Sequence, residues 1–223
     1  MDYRISKASL YRNPFIGIHL RACSREVLVP REIPPLLLQS AEAALGVPAV
    51  KISISQSNLL GLFAAMNSNG AVVPSFIEEA ELSHLKKSAG LNVAVMSSHF
   101  AVGNNILCND RAALANPAYS KAEIAQISDA LGVETVAHDT LTRIPTIGAI
   151  SVATNRGLLA YNDMPQVELR KLERFFGVKG AVGTCNMGVP FNGIGVVAND
   201  NRALVGDASS GFETQRIYEA LSG

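Results

Sequence analysis

Cys185 is the residue of this sequence whose type could most directly do covalent chemistry. A thiol attacks an electrophilic carbon when a base and its surroundings hold it as thiolate. His99 or His138 would serve as that base, with Asp139 or Asp163 as the carboxylate that orients a substrate. The spacing argues against the arrangement: Cys185 ends an apolar run in Gly-Thr-Cys-Asn-Met-Gly (183–188), and no histidine–acid pair at a diagnostic interval accompanies it. The other thiols, Cys23 and Cys108, are far apart in sequence and form no CxxC pair, so neither a disulfide framework nor a cysteine zinc site is expected.

Metal and nucleotide chemistry find no better footing. His19, His84, His99 and His138 are isolated, without an HxH or HExxH pattern. Gly193-Ile194-Gly195 lacks the third glycine and following helix of a dinucleotide fingerprint, and no phosphate loop ending in GK[ST] occurs. No cofactor, metal or small-molecule substrate is expected. Arg25, Arg111, Arg156 and Arg202 recur beside polar turns, where guanidinium groups could touch phosphates.

The elements that would position these residues come from an internal repeat. Segments of similar pattern open at Gly17, Gly61, Gly103, Gly148 and Gly193, roughly 45 residues apart. Each runs from glycine through apolar residues into a polar group (SRE, SNG, NDR, TNR, DNR) and back into apolar residues, which reads as a β-hairpin. Asn69, Asp110, Asn155 and Asn201 are expected to turn it, with side chains that tolerate positive φ; Arg25 is the exception. Cys23 and Cys108 are expected to be packed thiols at equivalent places before the turn.

A helix follows in every copy. In the third, Ser120 and Glu123 form a capping box, Ile124, Ile127 and Leu131 share a face, and Gly132 stops the helix. Leu169, Leu172 and Phe176 before Gly177, and Leu82, Leu85 and Ala89 before Gly90, repeat the pattern. Four copies add a third strand, but the fifth runs out of chain after Leu221. Tyr3-Arg4-Ile5-Ser6 resembles Val50-Lys51-Ile52-Ser53, so an N-terminal strand within residues 1–9 is expected to close the array. Closure would leave no open sheet edge. The expected fold is α+β: one domain, residues 1–223, forming a closed five-fold toroid of strand–strand–helix–strand units.

Bulk properties agree with such a globule. Apolar residues make up 48% of 223 and charged residues 17%, which excludes wholesale disorder. Lys and Arg number 19 against 19 Asp and Glu, so wrapping of nucleic acid by net charge is excluded and any RNA contact would be local. The opening MDYRISKASLYRNPF lacks the layout of a signal peptide, and no run suits a membrane span, so a cytoplasmic, monomeric protein is expected.

If each first strand crosses the ring, one rim carries the turn arginines and the other carries Gly17, Leu60, Gly61, Asn104, Asn105, Gly148 and Gly193. Glycines admit close approach of another backbone and desolvated amides give specificity, so the second rim is expected to dock on protein.

GLFAAMNSNGAVVP from Gly61, GNNILCND from Gly103 and GTCNMG from Gly183 carry a resemblance that spans the chain. The sequence resembles the archaeal and eukaryotic translation initiation factor 6 family, which has the pentein fold, a five-fold pseudosymmetric toroid also called an α/β propeller. That resemblance implies a non-enzymatic factor that binds the large ribosomal subunit against a uL14-type ribosomal protein near the sarcin–ricin loop. It blocks premature joining of the small subunit and takes part in large-subunit maturation. It implies contact residues at Gly17, Leu59, Gly61, Leu62, Asn104, Gly148, Asn186, Met187 and Gly188; a limited rRNA contact is expected from the turn arginines themselves, apart from the resemblance. Eukaryotic members often carry Arg at the places of Leu62 and Met187. Other penteins attack guanidino carbons with a cysteine, which makes a guanidino-group hydrolase using Cys185 the alternative.

Overall fold

The computed structural model describes residues 3–137 and 144–223. His138 and Asp139, named above as base and carboxylate for thiol chemistry, lie outside the described residues.

Strand β1 (Arg4–Ala8) precedes the first module, which runs through a 3-10 turn (Ile16–Ile18), β2 (Arg21–Ala22), β3 (Val27–Pro30), α1 (Pro35–Leu45) and β4 (Ala49–Ile52). The second contains α2 (Leu60–Phe63), β5 (Ala65–Met66), β6 (Gly70–Pro74), α3 (Glu79–Ala89) and β7 (Asn92–Met96). The third contains α4 (Val102–Asn105), β8 (Ile106–Cys108), β9 (Ala112–Ala115), α5 (Lys121–Leu131) and β10 (Glu134–Ala137). The fourth contains α6 (Ile147–Ile150), β11 (Val152–Ala153), β12 (Gly157–Tyr161), α7 (Gln166–Phe176) and β13 (Lys179–Gly183). The fifth contains α8 (Asn192–Gly195), β14 (Val196–Ala198), β15 (Arg202–Gly206) and α9 (Gly211–Leu221).

Among the described residues the strands form five three-stranded sheets of one topology. The middle strand is antiparallel to its hairpin partner and parallel to the strand that returns after the long helix, as in β5, β6 and β7. In the fifth sheet β1 takes that third place, parallel to β15, with Arg4 opposite Arg202 and Ala8 opposite Gly206. Middle strands are buried on both faces, so they read as continuous apolar runs such as Val27-Leu-Val-Pro30.

The long helices form where the capping and spacing place them. Glu123 N donates to Ser120 Oγ at 3.2 Å, Ser120 N donates to Glu123 Oε2 at 3.0 Å, and Gly132 ends α5 with φ +63°. Their apolar faces do not simply cover their own sheets. Among the described residues the core is divided into five clusters, each at a junction between successive modules. Ile52 and Val50 of β4 pack with Leu85 and Ala89 of α3, and Leu204 of β15 packs with Leu45 of α1. Each long helix is thus held between two sheets.

One expectation fails at the start of every module. The repeat-opening stretches form a single helical turn followed by a strand of two or three residues, rather than one strand. Close approach is the cause. A methyl group on Gly61 would collide with Gly17 O, and on Gly103 with Gly61 O; Gly148, Gly193 and Gly17 stand the same way over Gly103 O, Gly148 O and Gly193 O. The five turns stack backbone on backbone in a circuit that returns to its start. Gly193-Ile194-Gly195 belongs to α8, not to a strand.

Candidate functional site

The hairpin-turn edge is built from amides that bind within the chain. Asn67 Oδ1 accepts from Asn69 N and Gly70 N at 3.0 Å, and Asn109 Oδ1 and Asn199 Oδ1 do the same for their turns. Thr154 Oγ1 takes this place in the fourth module. Turn closure therefore rests on a residue two places before Asn69 and Asn201 and one place before Asp110 and Asn155, and none of these four has positive φ. Nor are they equivalent: Asp110 and Asn155 align with Ser68 and Asp200, one place before Asn69 and Asn201. Their side chains reach sideways instead. Ser68 N donates to Asp110 Oδ1 at 2.8 Å, Asp110 N to Asn155 Oδ1 at 2.9 Å, and Asn155 N to Asp200 Oδ1 at 2.8 Å. Cys23 aligns with Asn67, whereas Cys108 stands one place earlier and donates to Met66 O.

The turn arginines are engaged in the same way. Arg25 Nη1 donates to Ser68 O at 3.0 Å, Arg111 Nη1 to Gly177 O at 2.7 Å, Arg156 Nη1 to Asp200 O at 3.5 Å, and Arg202 Nη1 to Ala43 O. Each guanidinium bridges to a neighbouring module, and that of Arg156 also lies 5.9 Å over the Tyr3 ring.

The opposite edge carries the short helical turns and the connections that lead into them. Three connections are tight turns with successive positive φ values: Tyr11-Arg12 and Ser55-Gln56, of two residues each, and Asn186-Met187-Gly188, of three. The left-handed conformation costs such side chains about 1–2 kcal/mol each, so other contacts must hold it. Glu81 accepts from Ser55 N and Gln56 N at 2.6 and 2.9 Å, and Glu213 accepts from Met187 N and Gly188 N at 3.3 and 2.8 Å. Glu123 accepts from Ser97 Oγ and Ser98 N at 3.0 Å. Burial would raise these carboxyls, but their hydrogen bonds outweigh it and hold all three below the usual range, Glu123 at about 2.

The contact candidates fall along this edge. Asn186 Nδ2 donates to Pro14 O at 3.0 Å, Tyr11 meets His19 edge-on at 5.4 Å, and His19 Nδ1 lies 3.1 Å from Asn58 O. These contacts link Asn186-Met187-Gly188 to Leu59 and Leu62, while α2 packs on α4, which carries Asn104. Met187 is 77% exposed and Gly188 is exposed; Leu59, Leu62 and Asn104 are half-buried. Gly17, Gly61, Gly148 and Asn186 are buried, as are Leu60, Asn105 and Gly193. The backbone that approaches the glycines closely is the chain's own, and that accounts for their missing side chains.

Sequence reasoning passed over Tyr11, Phe191 and Phe212, all exposed and near the same turns. It named Glu123 only as a helix cap and passed over the matching glutamates of the other modules. Glu81, Glu123, Glu168 and Glu213 recur at one register, a signal visible in the repeat.

Cys185 does not meet the requirements of a nucleophile. Its thiol is buried, donates to Val189 O and Phe191 O at 3.8 Å, and is pushed up to about 12 by burial, with the Glu213 charge adding to the effect. His99 is engaged elsewhere, 3.3 Å from Ser75 Oγ, and Asp163 is exposed and accepts from Asn162 Nδ2.

Five like modules joined through shared cores, with an apolar, amide-bearing edge held in place by buried carboxylates, define a repeat protein of the binding type. The eIF-6 family model matches residues 5–220. The chain is 34% identical to "Translation initiation factor 6" of Pyrococcus horikoshii, over 97% of this chain and 98% of that protein. It is 36% identical to the protein of that name from Thermococcus onnurineus over 97% of each, and 32% identical to that of Pyrobaculum aerophilum over 98% and 99%. The chain belongs to the eIF-6 family.

Proposed function

We propose that this chain binds the large ribosomal subunit through its short-helix edge and prevents premature joining of the small subunit. Kinship to translation initiation factors over nearly the whole chain carries the reading. The edge supports it by presenting exposed apolar and amide groups on strained, well-fastened turns. Leu59, Leu62, Asn104, Met187 and Gly188 make the contact, and buried Gly17, Gly61, Gly148 and Asn186 shape the backbone beneath it. A uL14-type ribosomal protein near the sarcin–ricin loop is the partner, and the same binding accompanies large-subunit maturation.

The mechanism is occlusion, with no reaction and no cofactor. It needs a rigid body, and the circuit of stacked glycine turns together with the β1–β15 pairing supports a closed toroid folded as one domain, residues 1–223. Closed edges and balanced charge favour a monomer working in the cytoplasm. Any rRNA contact from Arg25, Arg111, Arg156 and Arg202 is limited, because each also serves a neighbouring module.

Sedimentation through sucrose with separated subunits tests the proposal. The protein is expected with the large subunit alone, weakly so for Met187→Glu or Asn104→Ser at unchanged melting temperature. Equal recovery with both subunits, or variants that bind like wild type, would overturn it. Charge reversal of Arg111 and Arg156 that leaves the salt dependence unchanged would remove the rRNA contact.

A further inference from the structure

Arg21 extends from β2 into the space at the centre of the five modules, where its charge has no carboxylate partner. Its Nε donates to Ala64 O at 3.1 Å, and its Nη2 donates to Gly61 O at 2.5 Å and Gly103 O at 3.0 Å. These carbonyls orient the group but carry no net charge. The remaining nitrogen, Nη1, makes no hydrogen bond to the described residues, and no carboxylate among them forms an ion pair with this guanidinium. Burial pulls the Arg21 pKa down, as expected for a cation taken from water without an anion beside it.

The same space holds a second uncommitted donor. Ser151, at the end of α6, is 1% exposed, and its Oγ has no hydrogen-bond partner. Arg21 and Ser151 both line a small central cavity of about 40 Å³ whose other side chains are mostly apolar, including Ala65, Ile106, Val152 and Val197. Cys108 also lines it, but its thiol donates to Met66 O and stays protonated, pushed up to about 12 by burial. Toward the hairpin turns the adjoining space is lined by Asp110 and Asp200, and Asn155 Nδ2 donates to both, at 2.7 and 2.9 Å. Negative charge at that end confines any anion to the level of Arg21.

We propose that the central cavity is a binding site for a small inorganic anion of halide size, held by Arg21 Nη1 and Ser151 Oγ. An anion there supplies the countercharge that the fold omits and satisfies a buried hydroxyl that otherwise lacks a partner. It binds the module junctions from inside, since Arg21 already joins the first module to carbonyls of the second and third. Occupancy therefore raises the melting temperature by mass action.

Bromide is the probe. Crystals soaked in sodium bromide are expected to show an anomalous peak within hydrogen-bond distance of Arg21 Nη1 and Ser151 Oγ. In solution, melting temperature is expected to rise with bromide relative to sodium gluconate at constant ionic strength. Ser151→Ala, which keeps the Arg21 clamp and is tolerated sterically, should raise the half-saturating bromide concentration by about tenfold. Arg21→Met should abolish the response, and Ser151→Ala decides the matter if that variant does not fold. No central peak, a peak seen only at molar bromide, or the same bromide response in wild type and Ser151→Ala would mean water or an adventitious ion only and would overturn the proposal.

Discussion

Asn199 Nδ2 donates to Leu45 O at 2.9 Å, joining residues 154 apart in sequence. The hairpin turn of the fifth module is thereby fastened to the last turn of the first long helix, as Asn67 is to Leu131 O and Asn109 to Phe176 O. Asn199 also closes its own turn through Asn201 N and Arg202 N.

Asn199→Ala removes all three bonds at a buried site and leaves backbone groups unsatisfied. A loss of about 1–3 kcal/mol is expected, read from urea unfolding. Arg202→Ala removes only a partly solvated bond to Ala43 O, and should cost about 0.5 kcal/mol. Equal costs would mean that the buried amide is not what fastens the junction.

Gly61→Ala and Gly90→Ala separate two uses of glycine. At Gly61 the new methyl meets the backbone of Gly17 and Leu20, which cannot move without shifting a neighbouring module. A loss of about 4 kcal/mol or failure to fold is expected. Gly90 has φ +62° and open space around it, so the cost there is about 1 kcal/mol of backbone strain. Denaturation midpoints compared under one condition decide between them.

Glu123 sets the acid limb of stability. Its folded pKa, about 2, lies below the value of about 4.3 for an unfolded glutamate. Its contribution is complete above about pH 4.3 and is lost as pH falls toward 2; Glu81 and Glu213 act in the same direction. Glu123→Gln should lower the melting temperature at pH 7 and flatten the decline between pH 4.5 and 2.5. A wild-type decline that is equally steep in the variant would refute the assignment.

Glu26 has the opposite sign. It is 6% exposed, its Oε1 has no partner, and burial raises its pKa despite the opposing charge of Arg25. A carboxyl whose folded pKa is raised favours the native state at low pH and costs stability as pH rises through that value. Glu26→Gln is therefore expected to raise the melting temperature at pH 7, with the gain shrinking toward pH 4. A lower melting temperature at pH 7 would count against it.

Local order was legible in the sequence because its signals are local. Ser120, Glu123 and Gly132 specify where α5 starts and stops within one helical turn of each end, and apolar runs mark the buried middle strands. The fivefold recurrence of the opening glycine gave the modules, and the likeness of Tyr3–Ser6 to Val50–Ser53 pointed to β1 as a third strand. What those glycines do was not legible. Their backbone neighbour lies one module away, about 45 residues distant in sequence for four of them and at the far end of the chain for Gly17, so a stretch that reads locally as a strand becomes a helical turn stacked on another. The same holds for Asn199 on Leu45 O, for the turn glutamates beneath Ser55 and Met187, and for Arg21 and Ser151, which line one central cavity. Periodicity and capping depend on residues within a few positions of one another and survive in one dimension; junctions between modules, and the burial that shifts Glu123, Glu26 and Cys185, exist only once distant segments share a surface.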